Sequence, residues 1–172
     1  AFIQGSRTSA FPYQDLPNVI TLHSLTKCFA IPGLRLGYFS ASEQLIQRIS
    51  RYAMPWSVNQ LAIEAGKFLT KHKDKFAVPL TNLLNETENL RDTINQIPVL
   101  FVLPTQTHLF LVRIQNETMT ASELKKILGE EHGILIRDCA NFEGLTPYHF
   151  RIATQKKEAN ESLINALQMI FN

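Results

Sequence analysis

From residue 99 onwards two hydrophobic periods alternate, and this alternation constrains the fold more than any other feature of the sequence. The runs at 99–103, 108–114, 134–138 and 149–154 are short and rich in apolar and aromatic residues, which predicts strands. The segments 121–131 and 157–171 instead carry apolar residues at helical spacing. Thr120, with Glu123 three residues later, predicts a capping box at the start of the first of these helices. Strands and helices interleaved over so short a stretch specify an α+β module.

The preceding residues read differently. Residues 18–23 and 36–40 predict two strands, with Ile31-Pro32-Gly33 as a tight turn between them. From Glu43, the apolar residues Leu45, Ile46, Ile49 and Tyr52 recur at helical spacing until Pro55 stops the helix. Ser57 and Gln60 predict a capping box for the next helix, whose apolar face carries Val58, Leu61, Ala62, Ala65, Phe68 and Leu69. Residues 74–95 then form one long amphipathic pattern that tolerates Pro79 only near its start. The change of texture places a domain boundary near residue 70, giving units of 1–70 and 71–172. Trp56 is expected in the core, with a subunit interface as the alternative.

Composition narrows the function classes. A net charge of +2 spread over 172 residues does not imply nucleic acid as a partner. The cluster of Lys71, Lys73 and Lys75 around His72 is interrupted by Asp74 and reads as a solvated helix face. No apolar stretch approaches the ~20 residues needed to span a bilayer, and no signal-peptide pattern is visible. No membrane partner is therefore expected, and the cytoplasm is the expected compartment. Cys28 and Cys139 are far apart and form no CxxC, which suits a reducing compartment better than a disulfide. His23, His72, His108, His132 and His149 show no metal-ligand spacing, so no metal site is expected. Ala1-Phe2-Ile3 opens abruptly in an apolar run, as the middle of a longer chain would.

The chemistry concentrates between Ser24 and Tyr38. Lys27 stands at the end of an apolar strand, where partial desolvation would disfavour its ammonium form and leave a nucleophilic amine. Ser24 and Thr26 are two residues apart, so an extended backbone would put both hydroxyls on one side. Arg35 follows the Pro32-Gly33 turn, which could fold it back towards them. Two hydroxyls and a guanidinium make a phosphate cup, because arginine presents a planar fork of donors to a dianion. Gly37 would permit a close backbone approach. Gly33-x-x-x-Gly37 is no nucleotide loop, since a strand follows where a helix N-terminus would be required. Spacing alone leaves open a plain strand–turn–strand with incidental Lys and Arg at its rim.

Ser24-x-Thr26-Lys27 followed by Gly33-Leu34-Arg35-x-Gly37-Tyr38 resembles the lysine signature of the class I/II aminotransferases of fold type I. The resemblance covers nearly the whole chain and implies an α/β fold. Within it, the C-terminal part of an aspartate-aminotransferase-like large domain precedes a small α+β domain. It further implies that Lys27 binds pyridoxal 5'-phosphate as a Schiff base, that Ser24, Thr26 and Arg35 hold the cofactor phosphate, and that the protein is a homodimer. Met54-Pro55-Trp56-Ser57-Val58-Asn59, Ile136-Arg137-Asp138-Cys139, Phe142-x-Gly144-Leu145 and Phe150-Arg151-Ile152-Ala153 are similar to the threonine-phosphate decarboxylase branch, close to histidinol-phosphate aminotransferase. In that branch Arg137 and Arg151 match arginines that hold the anionic groups of a small phosphorylated amino acid. His108 falls where the family often has an active-site Asn, which implies a substrate contact.

The implied reaction is decarboxylation of L-threonine O-3-phosphate to aminopropanol phosphate, a step of cobalamin biosynthesis. Two alternatives stay open: an aminotransferase of the histidinol-phosphate type, and a folded, non-catalytic fragment. The family's Asp-Glu-Ala-Tyr run would place its aspartate just upstream of Ala1, and Phe2 lacks the phenol found there in many relatives. On this reading the chain is the C-terminal half, carries half an active site, and is inactive in isolation.

Overall fold

A computed structural model describes residues 16–76 and 79–171. The expectations that concern Ala1 and Phe2 lie outside the described residues. Contacts divide the chain into two compact units, Ala1–Pro79 and Leu80–Asn172.

Among the described residues the first unit holds an antiparallel ribbon of β1 (Ile20–Ser24) and β2 (Gly37–Ala41), in which Ile20 pairs with Ala41 and Ser24 with Gly37. Its connection is not a simple turn. A single helical turn, α1 (Leu25–Cys28), follows β1 directly, and a 3-10 turn over Pro32–Leu34 precedes β2. Helix α2 (Glu43–Ser50) begins where the apolar spacing predicts, and ends before Tyr52. Helix α3 (Gln60–Lys71) corrects the expected cap. Asn59 is the N-cap, its Oδ1 accepting from the Ala62 amide at 2.9 Å, while Gln60 is already helical and donates from Nε2 to Glu64. Asparagine caps as well as serine, and it stands one residue before the first turn.

The long pattern over 74–95 also divides. Lys73–Phe76 form a 3-10 turn, and α4 (Leu80–Ile94) starts only after Pro79. Proline lacks an N–H and disfavours the helical conformation in the residue before it, so the helix begins beyond it.

The second unit is a four-stranded antiparallel sheet in the order β3 (Leu100–Val102), β4 (Leu109–Ile114), β6 (His149–Ala153), β5 (Arg137–Asp138). Strand alternation sends Phe110, Val112, Ile114, Phe150 and Ile152 to one face. There they meet Leu90 and Ile94 of α4, Leu124 and Leu128 of α5 (Ala121–His132), and Leu163 and Leu167 of α6 (Lys157–Phe171). Three helices thus cover one face of the sheet. The predicted capping box at Thr120 and Glu123 is formed in full, and Gly133 ends α5 in the left-handed conformation at φ 66°. That helix end consumes the start of the strand expected over 134–138, so β5 keeps only two residues. Polar contacts tie α4 to α6 and to the segment that leads into it. Asn160 donates to Glu86 at 2.9 Å, and the Thr87 and Thr154 hydroxyls lie 2.8 Å apart.

Among the described residues no helix is long and apolar enough to cross a membrane. The cysteines are not joined in a disulfide. Trp56 corrects its expectation outright: it is 97% exposed, with its backbone in the left-handed region at φ 55°. A lone tryptophan signals buried area in general, but the loop between α2 and α3 turns this one outward.

Candidate functional site

In the first unit the predicted cup residues lie at the end of β1 and in the turns that lead into β2. The Ser24 and Thr26 hydroxyls are 2.8 Å apart, and Thr26 is buried. They meet because the strand passes straight into a helical turn, not along the extended backbone that the spacing suggested. The same turn leaves Lys27 exposed, so the expected desolvation at a strand end is not supplied by the described residues. The chain then returns: the Leu25 amide donates to the Leu36 carbonyl at 3.1 Å, which brings Arg35 back beside the β1 terminus. Arg35 takes the left-handed conformation at φ 51°, is exposed, and donates from Nη1 to the Pro32 carbonyl at 3.2 Å.

Gly37 is needed where it stands. A Cβ there would come within 2.7 Å of the His23 carbonyl oxygen, so a side chain would force the ribbon apart beside Ser24. One pair along, the His23 and Tyr38 rings stack at 4.6 Å with an interplanar angle of 11°. Sequence reasoning passed over this stack, since cross-strand partners emerge only once the register is known.

This donor set suits a phosphate dianion. Two hydroxyls within hydrogen-bonding distance of one another can each turn a proton to a ligand oxygen, and Arg35 has donors beyond the one spent on Pro32.

In the second unit Arg137 and Arg151 are direct partners across the β5–β6 pair, so both lie on the sheet face opposite the helices. Among the described residues neither has a carboxylate within ion-pair distance. Arg137 donates from Nη2 to Asn141 at 3.3 Å, and its guanidinium lies 5.7 Å from the Phe142 ring centre. Burial pushes the Cys139 thiol up from its ordinary value, against the pull of Arg151 and then Arg137, so both charges reach the same sulfur. Asn141 was missed because no local pattern links it to Arg137.

His108 is half-buried and immediately precedes β4, its carbonyl accepting from the Thr154 amide at 2.9 Å. Desolvation holds its imidazole below the usual histidine value, favouring the neutral ring. Among the described residues no group of three or more His, Cys, Asp or Glu side chains is placed to hold a metal ion.

Comparison with known proteins bears on this arrangement. A model of the aminotransferase class I and II family matches residues 2–167. The threonine-phosphate decarboxylase of Salmonella typhimurium is 35% identical over 92% of the chain, and a histidinol-phosphate aminotransferase of Methanococcus maripaludis is 27% identical over 89%. The solved L-threonine-O-3-phosphate decarboxylase of Porphyromonas gingivalis superposes on 90% of the chain with a TM-score of 0.85 and 37% identity. The chain spans 43% and 41% of those two relatives and 47% of that structure. Its mixed helix and sheet are therefore those of a pyridoxal-phosphate-dependent aminotransferase fold. A match over residues 2–167 shows that the chain belongs to the class I and II aminotransferase family.

Proposed function

We propose that the protein containing this chain decarboxylates L-threonine O-3-phosphate to aminopropanol phosphate in cobalamin biosynthesis. Residues 1–70 then belong to the C-terminal part of a cofactor-binding large domain, and 71–172 form the small α+β domain. The observation that carries the reading is the likeness, in sequence and in structure, to threonine-phosphate decarboxylases at 35% and 37% identity. Histidinol-phosphate aminotransferases stand at 25–33%.

On this reading Lys27 holds pyridoxal 5'-phosphate covalently, while Ser24, Thr26 and Arg35 bind its phosphate. When bound, the cofactor supplies an electron sink for the pair left on the substrate's α-carbon. The residues of the chain decide which bond supplies that pair. Arg137 and Arg151 take the carboxylate and phosphate of the amino acid, with His108 as a further contact. By fixing both anions they orient the α-carbon so that the bond to the carboxylate breaks in place of the C–H bond. Arginine suits this task because its donors form a rigid fork, which lysine cannot reproduce. A homodimer working in the cytoplasm completes the proposal.

Borohydride reduction of the cofactor-loaded protein followed by peptide mapping should place the pyridoxyl label on Lys27, and a label on another lysine ends that assignment. Incubation with threonine phosphate should release carbon dioxide and aminopropanol phosphate. Transfer of the amino group of histidinol phosphate to an added keto-acid acceptor, without carbon dioxide, would favour the aminotransferase, and turnover of neither substrate would favour a non-catalytic fragment.

A further inference from the structure

Arg137 and Arg151 face one another across two antiparallel strands, an arrangement that like charges ordinarily disfavour. Proteins usually relieve such a pair with a carboxylate, but among the described residues none stands within ion-pair distance of either arginine. What does hold Arg137 is neutral. The Asn141 side-chain oxygen accepts from its Nη2 at 3.3 Å, and the Phe142 ring offers its π face at 5.7 Å. Both contacts restrain the guanidinium, and neither cancels its charge.

We infer that Asn141 and Phe142 are positioning residues: they orient Arg137 without neutralising it, and so keep the Arg137–Arg151 pair available for the anionic groups of the ligand. The inference rests on the reading of these two arginines as the substrate's anion site. Three features of the loop after β5 support it. The Ala140 amide donates to the Asp138 carboxylate at 2.9 Å, which engages the nearest acid in sequence with the backbone and not with Arg137. The Phe142 amide donates to the Cys139 carbonyl at 3.0 Å, and the Leu145 amide to the Phe142 carbonyl at 3.1 Å, so the loop is internally tied. Its far end is pinned as well, with the Thr146 amide donating to His149 Nδ1 at 3.1 Å. A loop tied at both ends holds Asn141 and Phe142 against Arg137 at little entropic cost when an anion arrives.

Asn141→Asp keeps the size and the acceptor of the side chain but adds the missing carboxylate. It should pair with Arg137, relieve the repulsion from Arg151, and occupy the site. The protein then becomes as stable as before or more so, while losing its anion.

The test uses inorganic phosphate as the probe and the 172-residue chain. An Arg35→Ala background removes the other cup. Melting temperatures are followed against phosphate, with chloride at equal ionic strength as the reference. The parent should gain stability with phosphate. Asn141→Asp should melt in chloride at or above its parent, and bind phosphate about tenfold or more weakly. Phe142→Leu should weaken phosphate roughly two- to fivefold, the worth of an exposed cation–π contact. Asn141→Ala removes the hold without adding charge and should weaken phosphate less than Asn141→Asp; equal weakening by both overturns the charge argument. Phosphate affinity of Asn141→Asp within twofold of the parent overturns the inference. Arg137→Ala and Arg151→Ala separate the two levels. If they lose phosphate while Asn141→Asp keeps it, the positioning inference alone fails; if they keep it too, the anion-site reading fails with it.

Discussion

Gly37→Ala tests whether the geometry of the β1–β2 ribbon sets cofactor affinity. Gly37 does not have a positive φ, so alanine there meets no backbone penalty, and only its methyl group matters. That methyl would stand 2.7 Å from the His23 carbonyl oxygen, about 0.7 Å inside ordinary van der Waals contact. A backbone oxygen within a paired strand cannot rotate away, so β1 and β2 must part at the pair next to it, Ser24 and Gly37. Overpacking of this kind costs about 1–3 kcal/mol. The lower entropy of the unfolded chain returns about 0.4–1 kcal/mol, which leaves the steric term ahead. Ser24 moves with β1 while Arg35 travels with β2, so the donors of the cup separate. Affinity for pyridoxal phosphate should fall by roughly tenfold, corresponding to about 1.4 kcal/mol. Affinity for pyridoxal, which has no phosphate, should barely change. Absorbance titration of both ligands gives the comparison. Gly33→Ala is the internal control, since a Cβ at Gly33 meets nothing within 4 Å. If Gly37→Ala binds pyridoxal phosphate as tightly as Gly33→Ala, or loses both ligands equally, the ribbon does not position a phosphate cup.

A piece beginning at Leu80 should unfold in one cooperative thermal transition, because the continuous apolar core lies in the second unit; a broad transition with dye binding would argue against an autonomous unit. Gly129→Ala should stabilise that unit by about 1 kcal/mol, since the residue is exposed within α5 and a Cβ there meets nothing within 4 Å; an unchanged or lower melting temperature would refute this. The Thr120 amide, and then its hydroxyl, hold the Glu123 carboxyl below its ordinary value of 4.5. A depressed carboxyl stabilises the fold above its unfolded value and loses that contribution as pH falls through the folded one. The melting difference between the native chain and Glu123→Gln should therefore be full at pH 7 and shrink below about pH 4.5; a difference that persists in acid would refute the capping role.

Much of the fold was legible because it is written in local periods. The α6 pattern over 157–171 coincides with the helix, and the Thr120–Glu123 spacing found its cap. Errors gathered where two local signals compete. Ser57 and Asn59 both offer an oxygen to the same helix start, and the nearer one caps it. Pro79 sits inside an unbroken apolar stripe, and the backbone rule prevails over the stripe. Around Ser24 and Thr26 the residue types were legible but not their arrangement. The hydroxyls at Ser24 and Thr26 were identified from spacing, yet the helical turn that joins them, and exposes Lys27, depends on the return of Leu36 to Leu25. Trp56 shows the limit of residue type as a guide, since burial belongs to the tertiary fold.

The proposed phosphate cup and the opposed arginines differ in what they cost the fold, and that difference fits where the core lies. Ser24 and Thr26 satisfy one another at 2.8 Å, so neither hydroxyl is left unpaired. Arg137 and Arg151 have no such recourse: neutral contacts hold Arg137, and the opposed charges cost about 0.2–1 kcal/mol in a cross-strand pair. The second unit carries that penalty directly behind its best packing. Phe150, the neighbour of Arg151, is fully buried, and Leu124, Leu128 and Leu167 are equally enclosed. Each such leucine is worth about 2–5 kcal/mol against alanine, several times the repulsion. A sheet so supported on one face can keep two arginines opposed on the other.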